Sequence, residues 1–220
     1  MTFTTKVFPS ERYAAEAAAQ VASLITAGGS LVLTGGGAAA AIYPEIDADL
    51  SGLDIFFSDE RCVPPDDAAS NFAMANRLLL ERGGAVNVHR MRGEDPPRDA
   101  ARSYHDELVP VVERGFDLML LGMGEDNHIA ALFPNSPALM DSSSLCLPVD
   151  RPDGLKGLTI TPPAIAKARS VLLVVTGEAK ADAVARAVDG DDDHLRYPVQ
   201  LLAGHPDATF LLDEAAASRL

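Results

Sequence analysis

The sequence predicts an α/β protein with a mostly parallel sheet covered by helices on both faces. Strand-sized runs with almost no polar interruption, at residues 31–34, 53–57, 116–121 and 170–175, alternate with helix-sized stretches. Strands apolar on both faces belong to sheets buried on both sides, and helical crossovers are what parallel neighbours require. A length of 220 residues suffices for a proper core, and a hydrophobic content of 47% is too high for a disordered polymer. No internal repeat or long linker interrupts the pattern, so residues 1–220 are read as one domain.

The elements follow in order. Ser10 is placed to cap a helix running to about Ala27, closed by Gly28-Gly29. The strand at 31–34 enters Gly35-Gly36-Gly37, and a helical stretch leads to the strand at 53–57. Ser70 caps a helix through Leu78-Leu79-Leu80, and a further helix covers 100–113 with a kink expected at Pro110. After the strand at 116–121, a short strand at 158–160 precedes a helix with a Thr161 cap and Pro162 in its first turn. The strand at 170–175, a helix at 178–188 and a last strand at 208–212 complete the chain. Pro- and Asp-rich segments at 64–69, 95–99 and 189–193 read as surface loops.

Charge and composition remove several classes of function. With 32 acidic against 18 basic residues the net charge is −14, which opposes bulk attraction to nucleic acid. No apolar run approaches the roughly 18–20 residues of a bilayer span, and Met1-Thr2-Phe3-Thr4-Thr5-Lys6 does not read as a signal peptide. Only two cysteines, Cys62 and Cys146, suit a reducing and hence cytoplasmic setting. There is no HExxH and no paired CxxC, so no metal site is expected. Asp191-Asp192-Asp193-His194 is read as a solvated acidic loop rather than a cation site. An anionic ligand would therefore need a local positive pocket.

In sheets of this kind ligands gather beyond the carboxyl ends of the strands, which singles out three loops. In Thr34-Gly35-Gly36-Gly37-Ala38 the glycines allow close backbone approach to an anion, although a tight turn would use them equally. Neither a Walker loop nor a convincing dinucleotide fingerprint is present. In Ser58-Asp59-Glu60-Arg61-Cys62-Val63-Pro64, followed by Ser70-Asn71, the arginine can clamp a carboxylate, phosphate or oxyanion, and the acids can orient it or bind hydroxyls. In Gly122-Met123-Gly124-Glu125-Asp126-Asn127-His128 a histidine lies two residues beyond a carboxylate able to orient its ring. The remaining histidines, His89, His105, His194 and His205, lack such a setting.

These residues carry a resemblance. The segment from Phe57 to Pro64 with Ser70-Asn71, and the stretch from Leu120 to Pro134, resemble the two signatures of 6-phosphogluconolactonases, in order and at matching separation. The likeness continues to Leu158-Thr159-Ile160-Thr161 and to Thr176-Gly177-Glu178-Ala179-Lys180-Ala181. It implies a Rossmann-like domain of the sugar-phosphate isomerase/lactonase type, with no metal or organic cofactor. Its substrate would be a sugar-phosphate lactone, and it would act as a monomer or weak homodimer with no nucleic-acid or membrane partner. His128 would be the base that activates water and then protonates the leaving ring oxygen. Arg61 would bind substrate or neutralise the oxyanion, and Asp126 would orient the site. Gly35, Gly36, Gly37, Asp59, Glu60, Asn71 and Lys180 complete the implied substrate-binding set.

The departures lie around the phosphate. Where the family reads Gly-Gly-Ser-Thr-Pro, this chain has Gly35, Gly36, Gly37, Ala38 and Ala39, without the two hydroxyls. The family's arginine before the Thr-Leu-Thr-like strand falls at Gly157, with Lys156 beside it as the candidate replacement. Asn127 replaces the usual glycine, Ile129 the usual threonine and Ala131 the usual serine. Two alternatives stay open: an amino-sugar-phosphate deaminase or isomerase, which His128-Ile129-Ala130 supports, and a non-catalytic sugar-phosphate-binding protein. The related deaminases lack the Asp-Glu-Arg-Cys-Val-Pro segment. An unphosphorylated lactone is a variant of the first reading.

Overall fold

The computed structural model describes residues 3–190 and 193–220. In chain order the strands are β1 (Thr4–Phe8), β2 (Ser30–Leu33), β3 (Asp54–Phe57), β4 (Asp59–Arg61), β5 (Asn87–Val88), β6 (Phe116–Gly122), β7 (Cys146–Asp150), β8 (Lys156–Ile160), β9 (Ala168–Val175) and β10 (Ala208–Asp213). The α-helices are α1 (Tyr13–Leu24), α2 (Gly37–Ile42), α3 (Asn71–Leu78), α4 (Pro97–Arg114), α5 (Pro162–Ile165) and α6 (Ala181–Asp189). Seven strands form one sheet in the order β1-β10-β9-β6-β2-β3-β5, with every neighbouring pair parallel.

The expected two-sided burial is present, and alternate residues of each central strand sort into two cores. Val32, Phe56, Met119, Leu121 and Leu173 pack on one face with Tyr104 and Leu108 of α4 and Val184 of α6. Leu31, Leu33, Ile55, Phe57, Leu118 and Leu120 pack on the other with Ala17 and Val21 of α1 and Ile42 of α2. The strand period of two divides the side chains, which is why these strands read as continuously apolar.

Several elements differ from expectation, among them β5 and β7, which the sequence does not predict as strands. The 158–160 strand leaves the parallel sheet and forms the centre of a small antiparallel one, β4-β8-β7. The charged segment at 59–61, expected as a loop, is itself the strand β4, because Asp59 and Arg61 pair with Thr159 and Gly157 of β8. The first strand, Thr-Thr-Lys-Val-Phe, escaped the sequence analysis because it is a largely exposed edge strand. Helix α1 starts at Tyr13 with Arg12 at its N-cap and no side-chain cap, so Ser10 does not play that part.

The other local expectations have mixed outcomes. Ser70 caps α3, its Oγ accepting from the Ala73 N–H at 3.1 Å. Helix α4 continues through Pro110 to Arg114. Thr161 stands at the N-cap of α5, but its hydroxyl donates to the Ser144 carbonyl instead of capping. Of the 189–193 segment, residues 191 and 192 lie outside the described residues, and with them two of the three aspartates before His194.

Two tyrosines finish the strands that lead to the functional loops. The buried Tyr43 hydroxyl accepts from the Thr34 N–H at 3.0 Å and donates to the Thr34 carbonyl at 2.7 Å. The buried Tyr104 hydroxyl treats Phe57 the same way, accepting at 2.8 Å and donating at 3.1 Å. Each phenol satisfies both backbone groups of a residue where the strand ladder stops. Burial pushes both phenols far above their ordinary pKa, so they stay protonated donors. Tyr43→Phe is expected to lower the unfolding free energy by about 1–3 kcal/mol, read from urea denaturation, because it orphans two buried backbone groups.

Candidate active site

The carboxyl ends of β2, β6 and β9 meet β4 around a cleft of about 300 Å³. Its floor is the glycine loop. Gly36 has φ +92°, and a Cβ at Gly36 or Gly37 would meet nothing within 4 Å, so bare backbone faces open space there. Gly35 is glycine for another reason: the Asn71 side-chain amide occupies the place of its Cβ.

Glu60 is only 2% exposed and does not line the cleft. Its carboxylate accepts from the N–H groups of Arg61 (2.8 Å), Asn71 (2.7 Å) and Phe72 (2.8 Å) and from the Ser70 hydroxyl (2.9 Å). Burial pushes its carboxyl above the ordinary range, while these four donors oppose the rise. The acid at the start of α3 supplies the negative charge that a helix N-terminus favours. Glu60 is thus corrected from a substrate ligand to an internal anchor of α3. Asn71 is likewise buried behind the cleft. Its Nδ2 donates to the Asp59 carbonyl at 2.8 Å, and its Oδ1 accepts from Arg61 Nη1 at 2.5 Å. Arg61 Nη1 also donates to the Ala69 carbonyl at 2.8 Å, which fixes the guanidinium at the cleft wall.

The third loop turns on a residue of unusual backbone. Asn127 has φ +65°, where glycine is at ease and asparagine is tolerated. It is fully buried: its Nδ2 donates to the Ala183 carbonyl at 2.6 Å and its Oδ1 accepts from Arg186 Nε at 3.3 Å. Arg186 Nη2 donates to the Glu125 carbonyl at 2.9 Å, tying the loop to α6. On this support, His128 Nδ1 lies 2.6 Å from Asp126 Oδ1, and Gly124 is glycine because its Cβ would strike both side chains. Partial burial works to raise the Asp126 pKa, but the His128 hydrogen bond and charge and the His128 backbone N–H outweigh it and hold the carboxyl below its ordinary value. An ionised Asp126 requires the proton on Nδ1, which leaves Nε2 as an acceptor for a proton from water. The Phe133 ring packs 4.7 Å from the imidazole.

Arg61, Arg151 and Lys180 line the cleft against the single carboxylate of Asp59. Among the described residues neither Arg61 nor Lys180 has a carboxylate within 4 Å. This is a local positive pocket in a chain of net charge −14. Lys156, expected to approach the phosphate, is instead 62% exposed, pairs with Asp150 and does not line the cleft. The alternation of β8 sends position 157 inward and Lys156 outward. Sequence reasoning missed Arg151, Thr34 and Thr176, all of which line the cleft. Thr34 and Thr176 directly follow β2 and β9 and could have been found from that position; Arg151 sits in a hairpin turn with no local signal.

Elsewhere, His89 lies between Glu107 (3.3 Å) and Asp54 (3.5 Å), and His105 Nδ1 accepts from the Leu145 N–H at 2.9 Å. Burial pushes the Cys146 thiol up to about 12, which removes it as a nucleophile. Among the described residues no group of three His, Cys, Asp or Glu side chains is arranged to hold a metal ion, and no helix is long and apolar enough to cross a membrane.

Residues 9–211 match the family of glucosamine-6-phosphate isomerases and 6-phosphogluconolactonases, and the chain belongs to it. Within that family its curated relatives include the 6-phosphogluconolactonase of Mycobacterium tuberculosis, 37% identical over 210 residues covering 86% of this chain and 84% of the relative. The 6-phosphogluconolactonase of Treponema pallidum is 41% identical over 159 residues, 69% of this chain and 65% of the relative. Among solved structures, the 6-phosphogluconolactonase of Trypanosoma brucei superposes with a TM-score of 0.86 at 24% identity, covering 99% and 98% of the two chains. A monomeric glucosamine-6-phosphate deaminase superposes equally well, at 0.86 with 21% identity and full coverage of both chains. The two structures share the fold, which by itself does not separate lactonase from deaminase.

Glu60→Gln is expected to destabilise the protein by at least ~1–3 kcal/mol in thermal or urea unfolding. The amide turns one accepting oxygen into a donor that faces other donors, and no cleft side chain is touched.

Proposed function

We propose that this chain hydrolyses 6-phospho-D-glucono-1,5-lactone to 6-phosphogluconate, the lactone-opening step of the oxidative pentose phosphate pathway. It would do so in the cytoplasm, as a single domain and as a monomer or weak homodimer. The observation that carries this reading is the Asp126–His128 pair facing a cleft whose cations outnumber its acids, in a chain whose curated relatives include lactonases matched over most of their length.

In this reading, water beside His128 Nε2 gives up a proton as its oxygen attacks the lactone carbonyl carbon. Asp126 holds the ring in the required tautomer and stabilises the imidazolium. Arg61, anchored by Asn71 and the Ala69 carbonyl, faces the oxyanion of the tetrahedral intermediate. The intermediate collapses, the bond from carbon to the ring oxygen breaks, and the imidazolium returns its proton to that oxygen. The new carboxylic acid then ionises to the product carboxylate. Lys180, Arg151 and the backbone of the Gly35–Gly36–Gly37 turn are the groups available to the phosphate, and Asp59 to a sugar hydroxyl. No metal or organic cofactor enters these steps.

His128→Ala is expected to lower kcat by ~10²–10⁴-fold with little change in folding, followed as acid release from the freshly made lactone. Unchanged kcat would remove His128 as the base. Ammonia release from glucosamine 6-phosphate without lactone opening would favour the deaminase reading that the shared fold leaves possible. Lys180→Ala is expected to raise KM for the phosphorylated lactone about 10–100-fold while leaving gluconolactone nearly unaffected. Equal effects on both would show that the lysine is not a phosphate ligand.

A further inference from the structure

We propose that Arg151 is a phosphate-binding residue of this cleft and that Gly157 is its structural counterpart, kept without a side chain so that the arginine can cross β8 into the site. The proposal rests on the lactonase reading. Arg151 begins the turn joining β7 to β8, closed by the Arg151 N–H donating to the Leu155 carbonyl at 3.0 Å and by the Gly154 N–H donating to the Arg151 carbonyl at 3.1 Å. A turn arginine normally extends into water; this one has an 11% exposed side chain and lines the cleft.

Its course is fixed along its length. The stem lies over Gly157, where an added Cβ would come within 2.9 Å of Arg151 Cδ and 3.2 Å of Cγ. The guanidinium stands 5.6 Å over the Phe133 ring, which also packs against His128 at a tilt of 50°. Nε lies 3.1 Å from Asp153 Oδ2, and Nη1 is 3.7 Å from Asp59 Oδ2. Among the described residues Nη2 has no partner. An arginine so held loses little further entropy on binding and retains an unused donor pair.

The chemistry of the substrate then selects its role. The lactone ring is neutral, so the phosphate is the only permanent charge that an arginine can meet in the ground state. A dianion entering a chain of net charge −14 needs more than one cation. Lys156 is outside the cleft, and Gly37 and Ala38 line it at the two positions where hydroxyls would donate. Arg61, held through Nη1 by Asn71 and the Ala69 carbonyl, is the group assigned to the oxyanion in the proposed reaction. Arg151 beside Lys180 supplies the second cation.

The test is a cycle of Arg151→Ala, Gly157→Ala and the double variant, with Arg151→Lys as a charge-preserving control and thermal unfolding to confirm folding. Arg151→Ala is expected to raise KM for the phosphorylated lactone about 10–100-fold, with kcat and the kinetics on gluconolactone little changed. Arg151→Lys recovers part of the loss. Gly157→Ala moves KM in the same direction by pushing the stem aside, and adds nothing once Arg151 is alanine. An equal kcat loss on both lactones, or additive effects of the two substitutions, overturns the proposal. Calorimetric titration with 6-phosphogluconate reads the residue without turnover: a wild-type protein that binds it but opens no lactone defeats the functional reading alone. Equal affinity in Arg151→Ala defeats the inference alone, and no wild-type binding defeats it as well.

Discussion

One buried carboxylate organises the front of this molecule. Glu60 has no basic partner within ion-pair distance among the described residues, yet four donors converge on it. A buried charge is tolerated only when its acceptor capacity is met, so the backbone of Arg61 and the first turn of α3 are held to one geometry. Asn71 follows from that turn, and Asn71 in turn sets Arg61 and fills the space above Gly35. The glycine loop and the arginine wall, remote in sequence, share one reference point. The tyrosine ties at Thr34 and Phe57 extend the same logic to the strand ends behind them.

Electrostatics gives the opposite picture outside and inside. The chain as a whole is acidic, while the cleft gathers Arg61, Arg151 and Lys180 against Asp59. Within an environment of excess negative charge, the placement of each cation matters more than its number. Lys156 illustrates this: one residue from the inward-facing position, it is committed to Asp150 and solvent. The histidine loop is stabilised from a third direction, through the Asn127–Arg186 contacts with α6, so His128 and the Glu60-anchored wall rest on separate supports.

Much of this was legible in the chain. The central strands announced themselves because both faces are buried, and the Ser70 cap because its partner N–H lies three residues away. The glycine turn, Arg61 and the Asp126–His128 spacing marked the site for the same reason: short-range chemistry leaves a local pattern. Glu60 looked like a ligand because a carboxylate beside a site arginine has the same sequence signature whether it faces substrate or an internal helix. The β4-β8-β7 sheet stayed hidden because its strands are short and β4 is made of charged residues.

By itself, then, the sequence determined the layer architecture, the strands that carry the loops and the pairing of His128 with Asp126, all set by periodicity and by contacts within a few residues. Only the tertiary structure decided which charges face the cleft. It turned Glu60 inward and Lys156 outward, and it brought Arg151 across Gly157 from a turn that carries no local mark. The physical reason is that strand register and packing determine the direction of a side chain, and here that register is set by pairing between β4 and β8, about 100 residues apart in the chain.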